Sequence, residues 1–311
     1  MTNYADALYE AKRGFMIVGL TGYTGSGCTT ATGLLRRSSK PELPNYELLK
    51  KHVDKLRYDK LLRVWNNFEW TSFVDIEVSR IIFMLAISKS FRINYKKGPL
   101  QTIRKLSFPY KKELSGIKFL YKKNVNLRNK RIASQLVAAY AKTKTLYGQF
   151  KASFDLAEFI ETMQNFGDDV RKFGQIMPAS RVISSPDNMK VLPEAIRRLI
   201  RAYRTDSNAA HFVIDAFRNP YEVEYFNRRY NEFYLVAIHR NFIERRAALQ
   251  KLPPDFIEKM EIREGGKKHE KKRDNAAIWV TSQNLDEPAF NREVQHKKQR
   301  LQSVFCSLGI S

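Results

Sequence analysis

The stretch FMIVGL at residues 15–20, followed at once by TGYTGSGCTT, constrains the fold more than any other part of the chain. A short apolar run rich in β-formers predicts a buried strand. Gly22, Gly25 and Gly27 then let the backbone turn tightly, and Thr29 onward predicts a helix. The loop has the spacing G-x-x-x-x-G-[K]-[ST], with Cys28 where that pattern has lysine. In such a turn the N–H groups of residues 22–30, those of Ser26 and Thr30 included, converge on phosphate oxygens at the positive end of the helix. The Thr29 hydroxyl is placed to ligate a metal bridging the phosphates. None of this depends on the lysine. Cys28 removes a point charge that would neutralise the distal phosphates during transfer. The same turn also serves elsewhere as a purely structural strand-to-helix connection.

Further along, HFVI at residues 211–214 is a second apolar run, and it ends in Asp215. Asn219 and Pro220 then turn the chain into a helix through about Tyr230, residues 233–238 predict another strand, and an Arg-bearing helix follows from Phe242. This order predicts an α/β fold with a mostly parallel sheet covered by helices. Apolar residues stepping by threes and fours predict helices over residues 153–173, with Ser153 as N-cap, and over 192–203. Residues 75–87 read as a helix, with a strand as the alternative for the apolar half, 89–110 as loop-rich because of Gly98, Pro99 and Pro109, and 131–150 as helical. The expected division is a core made of residues 1–40 and 153–250, an insertion over 41–152, and a charged linker with a C-terminal segment over 251–311. Residues 284–311 fit no pattern.

The charge balance speaks of partners. Lys and Arg number 55 against 32 Asp and Glu, a net +23. Residues 89–151 hold 17 of those cations and one acid, Glu113. A solvated surface mixes both signs, so this segment predicts a polyanion, RNA or DNA, engaged through Lys111, Lys112, Lys122 and Lys123. Tyr95, Phe108, Tyr110, Phe119, Tyr121 and Tyr147 lie between the cations as stacking candidates. An acidic protein or an anionic membrane surface would answer the same charge. No apolar run approaches the roughly 18 residues of a membrane span, and the N-terminus has no apolar stretch after its charges. With Cys28 and Cys306 as the only cysteines, a reducing cytoplasmic setting is expected. His52, His211, His239, His269 and His296 have no metal-ligand spacing, and Trp65 and Trp70 read as packing residues.

VIDAFRNPYEVEYF at residues 213–226 resembles the D-x-x-R-x-x-x-E region of deoxynucleoside monophosphate kinases, and FIETMQNFGDDVRKFG at 159–174 resembles their substrate helix. Together with the glycine loop and FYLVAIHRNFIERR at 233–246, the set is similar to the N-terminal kinase-like domain of bacterial antiphage deoxycytidylate deaminases. The likeness covers about two fifths of the chain. It implies a three-layer P-loop nucleotide-kinase-like fold carrying a basic, largely helical insertion, with Mg²⁺ and ATP or a deoxynucleoside triphosphate as ligands. Carried over, Asp215 stands near the metal or the attacking phosphate, Arg218 and Arg171 hold an acceptor phosphate, and Arg240, Arg245 and Arg246 lie in a lid-like helix over the donor. Guanidinium groups suit those places because they pair bidentately with phosphate oxygens.

The chain departs from the deaminases in lacking His-x-Glu and Pro-Cys-x-x-Cys, so it cannot deaminate by itself. Three readings follow. One is a degenerate kinase that senses a nucleotide in antiphage defence and controls an effector protein or an oligomer. Another is an active deoxynucleoside monophosphate kinase. The third is a nucleic-acid-binding protein that uses the P-loop fold as scaffold.

Overall fold

The computed structural model describes residues 15–50, 53–93, 96–176 and 185–265. They form a mostly helical α/β protein with a four-stranded, all-parallel sheet. The strands are β1 (Met16–Thr21), β2 (Val74–Glu77), β3 (His211–Phe217) and β4 (Phe233–Ala237), in the order β2-β3-β1-β4. The helices are α1 (Cys28–Leu35), α2 (Tyr46–Leu49), α3 (Lys55–Asn67), α4 (Val78–Arg92), α5 (Pro99–Ser107), α6 (Lys130–Ala152), α7 (Leu156–Phe173), α8 (Val191–Ser207), α9 (Pro220–Asn227), α10 (Phe242–Ala248) and α11 (Pro254–Gly265). Short 3₁₀ turns occupy Phe108–Tyr110, Glu113–Leu120 and Pro186–Lys190. No helix among the described residues is long and apolar enough to cross a membrane.

The chain divides into two compact units, the smaller holding Gly33–Phe73 and the larger holding the sheet. In the sheet unit, Ile17 on β1 and Phe212, Val213 and Ile214 on β3 are fully buried, as parallel strands covered by helices must be. Helix α4 packs on β2 and β3 and touches α5, α6, α7 and α8. It is apolar nearly all round, with Ile81, Phe83, Met84, Ala86 and Ile87 at zero exposure, which is why it sits inside the molecule.

Several sequence expectations are corrected here. Residues 75–87 begin as a strand: Val74–Glu77 pair with Phe212–Asp215, and α4 follows without a loop. Residues 89–110 are largely helical, because Gly98 at φ +82° and Pro99 in the first turn start α5. Ser153 closes α6, donating its hydroxyl to Gln149 O at 2.9 Å, while Asp155 caps α7 by accepting the Glu158 N–H at 2.9 Å. The segment expected as one insertion over 41–152 is split, for residues 74–152 belong to the sheet unit. Leu100, Ile103, Ile117, Leu136, Tyr140 and Phe150 share a core with Ile17 and Phe212. Of the stacking candidates, Phe119 is buried and Tyr147 packs edge-on against Phe83 and Phe159, so both serve the core. Phe108 and Tyr121 remain exposed, at 52% and 37%, and Tyr95 lies outside the described residues. The expected linker after residue 251 opens with α11, and its remainder from 266 also lies outside them.

In the smaller unit, Trp65 Nε1 donates to Pro41 O at 3.1 Å and Trp70 Nε1 to Arg37 O at 2.8 Å, giving both indoles a packing role. The Lys40 ammonium closes α3, donating to the carbonyls of Trp65, Asn66 and Phe68 at the helix end where a cation is favoured.

Candidate functional site

Because all four strands run the same way, their carboxyl ends share one edge of the sheet, the edge where ligands bind in open α/β folds. The loop after β1 lies there, between the ends of β3 and β4. The Thr21 hydroxyl donates to Phe217 O at 3.1 Å, and Ile238 N–H to Thr21 O at 2.8 Å, fixing the loop's start on both sides. A Cβ at Gly22 would stand 2.4 Å from Ile238 O, so no larger residue fits. Gly25 and Gly27 have φ of +85° and +109°, a region other residues avoid. The loop closes with Ser26 N–H on Tyr23 O at 3.0 Å, and α1 opens with Ala31 N–H on Gly27 O at 3.0 Å.

The side chain at position 28 is turned into the protein. Cys28 is buried, and its Sγ lies 3.6 Å from Ser26 Oγ, itself buried. Burial pushes the thiol pKa up, against the Ser26 hydrogen bond, so the group stays neutral and is neither cation nor nucleophile. Thr29 faces the other way and is exposed, as is Thr30. Its Oγ1 donates to Asp215 Oδ2 at 2.9 Å, joining residues 186 apart in sequence. Burial raises the Asp215 pKa; the Thr29 hydrogen bond opposes that rise, Glu77 adds to it, and Arg218 lowers it.

The arginines expected at the site have distinct surroundings. Arg218 donates through Nη1 to Gly22 O at 2.9 Å and through Nη2 to Thr24 Oγ1 at 3.2 Å, bracing the loop. Arg245 is buried on α10 with its guanidinium 5.0 Å from the centre of the Tyr23 ring, and its stem and Leu249 lie against Gly25. The Arg240 guanidinium lies beside Gly27, with Nη2, Cζ and Nε each 3.7–3.8 Å from where a Cβ would stand. Arg171 is apart from the loop, its Nε donating to Glu222 Oε1 at 2.7 Å in a buried pair. Glu222 Oε2 also accepts the Arg218 N–H at 3.4 Å. Arg246 is exposed on α10.

Sequence reading missed Glu77. It ends β2 directly opposite Asp215, so two carboxylates stand side by side at the sheet edge. Arg80, buried one turn into α4, donates to Glu77 Oε1 at 3.1 Å and to Tyr140 O at 2.9 Å, and its guanidinium covers the Tyr140 ring at 3.9 Å. The Tyr140 hydroxyl accepts the Glu77 N–H at 2.8 Å, and burial drives its pKa far up, so it stays a neutral phenol. The clue was present in VDIE, an apolar-bearing run ending in an acid as HFVID does.

The donors fit magnesium. A hydroxyl and one carboxylate at the mouth of the glycine loop are a partial set of hard oxygen ligands, and Mg²⁺ is commonly held by one or two carboxylates plus substrate phosphates. Among the described residues no group of three or more His, Cys, Asp or Glu could hold a metal on its own.

Comparison of the chain with protein-family models, with curated proteins and with solved structures finds no match.

Proposed function

We propose that this chain is a nucleotide-binding protein of the P-loop nucleotide-kinase-like class, with a three-layer core, that holds ATP or a deoxynucleoside triphosphate with Mg²⁺ on residues 22–30. The observation that carries the reading is the Thr29–Asp215 hydrogen bond. It joins the loop hydroxyl and the strand-end acid, the two groups that hold Mg²⁺ in P-loop enzymes. Thr29 and Asp215 would hold the ion, which would supply positive charge against the phosphates. The loop amides orient the phosphates, Arg218 keeps the loop in shape, and Glu77, held by Arg80, adds a second carboxylate beside Asp215. Cys28 contributes no charge, so phosphoryl transfer is slow or absent, since removing one such electrostatic interaction costs about 10²–10³ in rate. The role then is sensing or regulation, acting on an effector protein or an oligomer. Its setting in antiphage defence rests on the resemblance of residues 153–246 to the deaminase-linked kinase-like domain.

Isothermal titration of the full chain with the eight common ribo- and deoxynucleoside triphosphates, with and without Mg²⁺, tests the binding. At least one is expected to bind, Mg²⁺-dependently, and Gly27→Val to abolish it while the far-UV spectrum is kept. No heat and no thermal shift with any of them would overturn the reading. A coupled assay against the four deoxynucleoside monophosphates tests the chemistry, and turnover of about 1 s⁻¹ or faster would instead establish an active kinase.

A second reading stands beside this one because Lys111, Lys112, Lys122 and Lys123 are exposed and have no carboxylate partner among the described residues. We infer from them a face that binds RNA or DNA through its phosphates.

A further inference from the structure

Every P-loop that holds a triphosphate has to balance several negative charges within a few ångströms, and the usual lysine does so from the first turn of the helix. Here the residue at that place points inward, its sulfur on Ser26. The balancing cation must come from elsewhere. The guanidinium groups of Arg218, Arg245 and Arg240 approach the loop. That of Arg218 is engaged by the loop's own oxygens, Gly22 O and Thr24 Oγ1. That of Arg245 is buried against the Tyr23 ring.

Arg240 differs from both. It is exposed, and no hydrogen bond, ion pair or ring contact engages it among the described residues. Its Nη2, Cζ and Nε atoms are equidistant, to within 0.1 Å, from the Cβ position of Gly27. At that range, a point equidistant from three atoms of a planar group lies above the plane, so the guanidinium turns its face to the Cβ position of Gly27. Gly27 is the last residue before α1, where the helix dipole and the orphan amides already make the potential positive. A cation parked there without a carboxylate is unfavourable in isolation. A phosphate on the loop amides reverses the sign of that interaction.

We propose that Arg240 takes over the binding share of the missing loop lysine, holding the distal phosphates of the bound nucleotide from the β4–α10 connection without the lysine's part in the transition state. The inference rests on the nucleotide reading of residues 22–30 and deepens it. A planar fork of donors would grip two phosphate oxygens at once, where lysine offers a point charge. A Cβ at Gly27 would be in ordinary van der Waals contact with the guanidinium, so the group lies about one side-chain atom away from the glycine.

The test measures binding of Mg·ATP and of inorganic tripolyphosphate, which has no base, to the full chain at about 50 mM salt. Arg240→Ala is expected to weaken the binding by about 10–100-fold, the effect typical of one charge-assisted hydrogen bond. Arg240→Lys should recover most of it, and Lys259→Ala, the same charge change on α11, should leave it as in the parent. Thermal melting checks that each variant is folded. If Arg240→Ala binds both probes as tightly as the parent does, the assignment is overturned and the nucleotide reading survives. If the parent binds neither probe nor any other triphosphate, both fall together.

Discussion

Glu194 on α8 is held by three donors: Arg197 through Nε at 2.8 Å and Nη2 at 2.5 Å, Arg198 through Nε at 3.2 Å, and the Tyr225 hydroxyl on α9. Burial pushes its pKa up, but the hydrogen bonds from Arg197, Tyr225 and Arg198 outweigh it and bring the value from 4.5 to about 2. A lowered folded-state pKa means that the stabilisation is complete above the unfolded value and is lost as pH falls through the folded one. Discounted for partial exposure, it amounts to about 1–2 kcal/mol. Glu194→Gln should therefore unfold at lower urea than the parent at pH 7, and the gap should narrow as the pH drops from about 5 to about 2. A gap independent of pH would show that the ionised carboxylate is not the source. Arg171 follows a different logic. Removing one partner of a buried ion pair strands the other, so its bond to Glu222 serves to tie α7 to α9.

Helix α7 shows what capping residues decide. Its N-cap Asp155 accepts the Glu158 N–H, and Gly174 at φ +69° ends it, donating to Val170 O at 2.8 Å. Asp155→Ala should cost about 0.5–2 kcal/mol in urea unfolding, and Ser153→Ala less than about 0.5 kcal/mol. The reverse order would mean that the helix begins where its sequence first suggested. β1, β3 and β4 were legible because each is an apolar run closed by a turn or an acid, and Thr29 and Asp215 were legible because the motif places them. β2 was not, since VDIE carries charges at alternate positions and runs into α4 with no turn residue to mark the change of period. Glu77 stayed hidden for the same reason: only the pairing of Glu77 with Asp215 makes it a neighbour of the loop. Arg240 is expected near the donor through resemblance to a lid, but its place facing the Cβ position of Gly27 depends on φ at a glycine and on the β4–α10 connection, neither of which sequence spacing encodes.

At the scale of the molecule the net charge of +23 is concentrated on a segment whose inner side is core, so its lysines project from a rigid surface. Reversing Lys111, Lys112, Lys122 and Lys123 to Glu should weaken binding of a labelled single-stranded oligonucleotide strongly at about 50 mM salt. It should also flatten the log–log salt slope by about 0.7 for each phosphate no longer engaged. Nucleotide binding at residues 22–30 should be unchanged. A parent protein that shifts no oligonucleotide at that salt would end the polyanion reading. The strand order has its own consequence for how the protein is made. β1 is the first strand synthesised among the described residues, yet both of its hydrogen-bonded edges wait for β3 and β4, about 190 and 210 residues later. At 5–20 residues per second the ribosome needs roughly 10–40 s to deliver them. Throughout that interval the glycine loop has no strand on either side to shape it, so its final form comes late in the life of the newborn chain.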